Sequence, residues 1–540
     1  MTLYTGALAH LTDLITMDES REELRARLNA ETGKLMWPEL ERHFARGVVI
    51  KVANDVDLIE VAMRVIGDDK AVVAEWMEQG KIGHPSMEDA KEWVERQPAF
   101  WAVVVSPWVL IQEFKIAEAE MMSVADKKNI DFTLAYYAGD RKTGSIAVVS
   151  RKGGKLEVKQ IAQGAESGAE KLLKPIFVGL TENHEVITLE PKSKALSIAQ
   201  EFIPDAFPAH IYSDPISNRD WFMNDGDKET GNDTLNCGDN GSSVTVIENT
   251  SSAAVRFLKT ICVGRGHHQA NFSYPSDAAP HVPKQAYVSN LIDGSISVIG
   301  NDPDKAESYL KVVATINLCE PERDGFEQPQ IPNNSFPHGL VYSRLSGEVY
   351  NLNNGYGDIA VIDPVTHAIE QRIAFKGFSN LFMSPCGRYV IGRGADRKSD
   401  AAHVIAKLAV LDVTTLEVVS RLDLQDIYIS KYFFSPEGGK LYLTTSSSGS
   451  DEQQANIKAD AVLVLDLGKL PQLVLAQELR LGSATGTLDF VMRDGKTALV
   501  FASNAQEGVV TIICGESDEV IEKLPVIEPC SHSRLWVLSH

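Results

Sequence analysis

One phrase recurs eight times between residues 144 and 514: GSIAVVS from Gly144, HEVITLE from His184, SSVTVIE from Ser242, GSISVIG from Gly294, GDIAVID from Gly357, AKLAVLD from Ala406, DAVLVLD from Asp460 and GVVTIIC from Gly508. Successive copies start 40 to 63 residues apart, and a period of that length in β-rich sequence marks an array of equivalent sheets. Each copy follows an apolar strand and a polar turn, as in AYVSNLIDGSISVIG and EVYNLNNGYGDIAVID. The unit therefore contains a hairpin bent at Asn, Asp or Gly. Four-stranded units of this length close into a β-propeller. Eight copies predict eight blades in a mainly β chain, with seven as the alternative count.

Composition narrows what such a ring can do. A chain of 540 residues is too long for one compact core. Its net charge of −22 argues against nucleic acid as a partner, because phosphate binding needs a concentrated cationic surface. No run approaches the ~20 apolar residues of a membrane span, and the start, MTLYTGALAHLTDLITMDE, lacks a basic segment followed by an apolar one. A cytoplasmic location is expected. The six cysteines, 237, 262, 319, 386, 514 and 530, form no CxxC, so neither a zinc ribbon nor a dithiol motif is expected. Hydrolase, metalloprotease and nucleotide fingerprints are absent too.

Residues 1–112 follow other rules. Ser20 with Glu23, and Ser86 with Asp89, are candidate helix starts, and Leu58, Val61, Ala62 and Val65 repeat at helical spacing after the strand-like VVIKVA. Five of the seven tryptophans, 37, 76, 93, 101 and 108, fall here and are expected to pack in its core. This reads as a small α/β domain, followed by a linker over 113–131 and the ring over 132–540. The blocks LNAETGKLMWPELERHFARGVVIKV and PAFWAVVVSPWVLIQ resemble, over residues 19–112, a small bacterial domain of unknown function. The resemblance implies no catalytic residues; docking or dimerisation is the expected role.

Within the ring, SNLFMSPCGRYVIG, SKYFFSPEGGKLYL and TLDFVMRDGKTALV share the order innermost strand, tight turn, second strand. That aligns Ser379, Ser430 and Thr487, and HGLVYSRLSGEVYNL falls into line with His338 at the same place. HQANFSYPSDAAPHVPKQAYVS aligns His268 there, and AHIYSDPISNRDWFM brings His210 within two residues. The C-terminal HSRLWVLSH starts another innermost strand at His532 but lacks its partner; FTLAYYAG near residue 132 supplies one and closes the ring. His210, His267, His268, His338 and His532 are then expected at one end of the channel, with His281 nearby in a turn. Converging neutral imidazoles are what copper, zinc or non-haem iron requires. Taken singly, each histidine reads more readily as a hydrogen-bonded core residue; only the set points to a metal.

GRGHHQANFS, preceded by WFMNDGDKETGND, resembles the propeller of nitrous-oxide reductases, and YVSNLIDGSISVI resembles the wider YVTN-type propeller family. The second resemblance implies fold; the first implies copper. The chain departs from the first by lacking its cysteine-rich copper domain and an export signal. The insert holding Asp225, Asp227, Asp233 and Asp239 lacks the pattern of an EF-hand loop and reads as a solvated turn. Cys386 and Cys530 lie where thiolates would reach the site, although buried, inert cysteines are the expectation. Two functions follow. One is a transition-metal site of unknown metal identity, copper being the first candidate, serving as a carrier or a metal-dependent oxidoreductase. The other is a non-catalytic interaction platform with a polar channel and an N-terminal docking domain.

Overall fold

The computed structural model describes residues 24–25, 28, 32–96, 98–113, 127–139, 144–173, 176–181, 185–190, 195–202, 208–224, 237, 242–249, 255–526 and 528–539. The side chains of 137–146, 159–209, His267, His268 and His532 are among those outside that description. The Ser20–Glu23 cap and residues 114–126 of the expected linker lie outside it as well. The chain divides into two compact units, Met1–Met122 and Ser123–His540.

The first unit is a mixed five-stranded sheet carrying four described helices, in the strand order β1 (Gly33–Met36), β4 (Ala99–Val105), β5 (Trp108–Glu113), β2 (Val49–Val52), β3 (Ile82–Gly83). Only β2 and β5 run parallel. Asp57 caps Leu58–Ile66 by accepting from the amides of Ile59 and Glu60, and Leu58, Val61 and Ala62 turn inward. Ser86 and Asp89 cap Met87–Arg96 reciprocally, each amide donating to the other side chain. Trp37 and Trp93 are 2% and 1% exposed, with ring centroids 5.0 Å apart.

The second unit is the ring. Six four-stranded antiparallel sheets run in chain order from innermost to outermost strand, and a seventh sheet has seven strands. We number the blades along the chain; blades 3 to 8 have the inner strands Pro208–Ser213, His267–Ser273, Pro337–Tyr342, Asn380–Met383, Ile429–Phe434 and Thr485–Arg493. In the seven-stranded sheet the 19-residue strand Lys155–Leu173 ends one blade and begins the next, so two blades share it. The innermost position of blade 1 is taken by His532–Ser539, which pairs antiparallel with Phe132–Gly139. Inner strands of successive blades touch, except that in blade 6 it is the second strand that meets the inner strand of blade 7.

The repeated phrase is the third strand of each blade. Blades lie face to face, so third strands such as Ser295–Gly300 and Asp358–Ile362 are buried at every residue. The outermost strand Glu417–Gln425 alternates between exposed and half-buried instead. Separate apolar clusters fill the spaces between blades 3 and 4, 4 and 5, 5 and 6, 6 and 7, 7 and 8, and 8 and 1. In blades 3, 4, 5 and 8 the second strand ends in a fully buried Asn, at 224, 290, 353 and 504. Its amide reaches the start of the third strand in blades 3 to 5: Asn290 Nδ2 donates to Ser295 and Ser297, Asn353 Nδ2 to Asp358. Gly294, at φ 67°, makes the intervening turn, and a Cβ there would collide with Asn333.

Candidate axial site

The ring's inner strands are irregular at one end. In blades 3, 4, 5, 7 and 8 the pairing of inner on second strand slips by one residue near its start: between Pro208 and His210, His267 and Gln269, Pro337 and Leu340, Ile429 and Lys431, Thr485 and Leu488. Such bulges leave a residue unpaired and re-aim side chains. Counting from the regular part of each strand aligns His268, His338, Ser430 and Gly486, with Ala209 as the blade 3 equivalent. His210 falls one residue later.

Two blade-to-blade bonds correct the register expected for Thr487 and His532. Leu340 N donates to Gln269 Oε1 at 3.0 Å, and Leu535 N donates to Thr487 Oγ1 at 2.8 Å. These are the same bond, so Thr487 matches Gln269 rather than Ser430, and His532 matches His267 and Pro337 rather than His268. Blade 8 carries a second register shift between Val491 and Met492, on the turn side of Thr487, and the blade 1 strand pairs without a shift from His532 to Leu535, so counting from turns or from the leading His misplaces both. His281 sits in the turn after His267–Ser273, at the far end of a strand about 20 Å long, and is exposed. The structure thus gathers the backbones of 210, 267, 268, 338 and 532 at one end and leaves His281 at the other.

Of the described imidazoles there, His210 is half-buried beside Tyr212. His338 is half-buried with Nδ1 2.5 Å from the Ser379 carbonyl. A carbonyl only accepts, so Nδ1 carries the proton and Nε2 the lone pair. Burial holds His338 below the usual histidine range, the Arg393 charge adds to this, and the hydrogen bond opposes it; the ring is neutral at pH 7.

That bond belongs to a series. Arg393 Nη1 donates to the carbonyls of Ile429 and Ser430 at 2.8 and 2.6 Å, and Lys431 Nζ donates to the Gly486 carbonyl at 2.6 Å. Blade 5 thus reaches blade 6, 6 reaches 7 and 7 reaches 8, each at the carbonyl of the aligned position. In blades 7 and 8 the bulge strips these carbonyls of ladder partners, in blade 6 Ser379 lies just before the paired strand, and a donor from the preceding blade bonds each. Sequence reading missed Arg393 and Lys431. The available signal was a lone Arg in the apolar strand YVIGRGAD, where the matching positions hold Ser289, Leu352, Thr444 and Ser503.

The cysteines differ from expectation. Cys237 and Cys262 form a disulfide, and Cys386 is exposed in a turn at the far end of blade 6 rather than buried. Among the described residues no group of three His, Cys, Asp or Glu is disposed to hold a metal, and no helix is long and apolar enough to cross a membrane.

Residues 23–113 match the family described as "Protein of unknown function (DUF2288)". The solution structure of PA1075 from Pseudomonas aeruginosa is 40% identical over 21% of this chain and 96% of its own, with a TM-score of 0.17. Apo AztD from Citrobacter koseri is 10% identical over 75% of this chain and 98% of its own, TM-score 0.45. The dihydro-heme d1 dehydrogenase NirN is 15% identical over 67% and 75%, TM-score 0.38. No curated protein matches the chain. The blade count and closure rest on strand pairing, not on these likenesses.

Proposed function

We propose that the ring is a metal-binding propeller whose axial end holds a transition metal through His338 Nε2 and His268, with His210 and His532 completing the set and His267 supporting it. The observation that carries this reading is the shared bulge position of His268 and His338 in adjacent blades, together with the tautomer that Ser379 imposes on His338. A ligating imidazole is normally held in this way, its other nitrogen donating to a carbonyl. The metal would supply electron transfer or Lewis acidity; copper is the first candidate and oxidation–reduction the class of reaction.

Metal analysis of full-length protein purified from its host tests the reading. About one equivalent is expected, lost in His268→Ala/His338→Gln, which keeps a donor toward Ser379, with the melting temperature little changed. A folded double variant that keeps stoichiometric metal would refute the assignment.

One observation favours the interaction platform instead: His338 has a structural task in the carbonyl series, which by itself accounts for a histidine there. In that reading the N-terminal unit, separate from the ring as a 1–112 domain with a 113–131 linker, does the docking. The cytoplasm remains the proposed compartment; the Cys237–Cys262 bond weighs against it, since structural disulfides are rare in reducing compartments.

A further inference from the structure

Arg393 is more than its structural task requires. In the next blade Lys431 caps the equivalent carbonyl with an ammonium, so a single donor suffices. Arg393 does the same with Nη1 alone. Its Nε is buried and has no hydrogen-bond partner among the described residues. No described carboxylate pairs with it; burial pulls the guanidinium below its ordinary value, with only Tyr428 and Tyr432 opposing. An uncompensated, half-satisfied cation inside a protein is costly and persists where a ligand supplies the counter-charge. The unused edge, Nε with Nη2, is the planar fork that matches two oxygens of one oxyanion.

We propose that the axial channel binds an oxyanion, carboxylate or phosphoryl, on the Nε/Nη2 edge of Arg393 beside His338 and Lys431. The proposal rests on the axial-site reading for its location only and needs no metal. It assigns the channel an anionic ligand in a chain whose overall charge is −22, where such selectivity has to be local.

Calorimetric titration of the full chain with inorganic phosphate and, separately, with succinate tests it, and the arm that binds identifies the class. Arg393→Met is expected to weaken that binding by roughly tenfold or more. Arg393→Lys keeps the charge and the carbonyl bond but lacks the fork, and is expected to fold normally and still lose affinity. In anion-free buffer Arg393→Met should melt no lower than the parent apart from the loss of its carbonyl bonds. His338→Gln, which keeps a donor toward Ser379, should leave oxyanion affinity within about twofold while abolishing any metal binding, which separates this proposal from the metal reading. Binding of neither probe at millimolar concentration, or Arg393→Lys binding as tightly as the parent, overturns it.

Discussion

Removing the last ten residues, 531–540, should open the ring. The strand lost pairs from His532↔Gly139 to Ser539↔Thr133 along the edge of blade 1. Leu535 and Val537, 1% and 9% exposed, leave the cluster they form with Phe132, Leu134, Tyr136 and Val491. Two bonds to blade 8 go as well: Leu535 N to Thr487 Oγ1 at 2.8 Å and Val537 N to Asp489 Oδ2 at 2.7 Å. Two apolar side chains at ~1.5–3 kcal/mol each and two hydrogen bonds at ~0.5–1.5 kcal/mol each sum to about 4–9 kcal/mol before the ladder is counted. A domain's whole stability is about 5–15 kcal/mol. Truncation should therefore abolish the ring's cooperative transition in differential scanning calorimetry, and the bared edge of Phe132–Gly139 should promote association. Leu535→Ala is the milder companion, with an expected loss of about 2–5 kcal/mol. An unchanged main transition in the truncated protein would show that the pairing does not close the ring.

Asn290→Ala strips a buried amide from two hydroxyl partners and should cost about 1–3 kcal/mol, read by urea denaturation; a change below the error of that measurement would make the recurrent Asn dispensable. His367 is held below the usual histidine range by burial, against the pull of Asp363. The unfolded chain therefore takes the proton first as pH falls, and the stability linked to this group is present above about pH 6.5 and lost below it. His367→Asn, which suits the backbone at φ 59°, should flatten that part of the pH–stability curve, and an unaltered slope between about pH 7 and 5 would sink the argument. Limited proteolysis should cut within residues 114–126 and release two compact fragments; cleavage first inside 32–96 would misplace the boundary.

The fold was legible because blade stacking writes itself into composition. A third strand covered on both faces must be apolar throughout, and its turn must tolerate positive φ, so SISVIG after Gly294 and DIAVI after Gly357 repeat recognisably. Strand closure was legible because HSRLWVLSH reads as an innermost strand and FTLAYYAG near residue 132 as a second strand to pair with it. The site was legible only to within a residue. Alignment by turns counts residues, whereas register shifts change which residues pair and only hydrogen bonding reveals them; Thr487 moved by one place because blade 8 shifts again between Val491 and Met492, and His532 because its strand pairs without a shift at the start. Cys237 and Cys262 are 25 residues apart, a separation that in sequence carries no sign of contact. Arg393 escaped notice because a single charge in an apolar strand ordinarily signals an edge; here it signals a carbonyl in the neighbouring blade.

The carbonyl series also decides how the axial end can be dissected. His338, Arg393 and Lys431 each bond a carbonyl at the start of the next blade's inner strand, so replacing any of them with alanine removes a ligand-facing group and orphans a backbone acceptor together. Loss of metal or anion in such a variant would then follow from either cause. Replacements that keep one donor separate the two: Arg393→Lys retains the bond to Ser430 on the pattern that Lys431 already sets, and His338→Gln retains a donor toward Ser379 while removing the imidazole lone pair. If ligand binding survives these while alanine abolishes it, the groups matter for blade registration. If binding falls in both with the melting temperature of the donor-keeping variants preserved, the chemistry resides in the Nε2 lone pair and the guanidinium fork themselves.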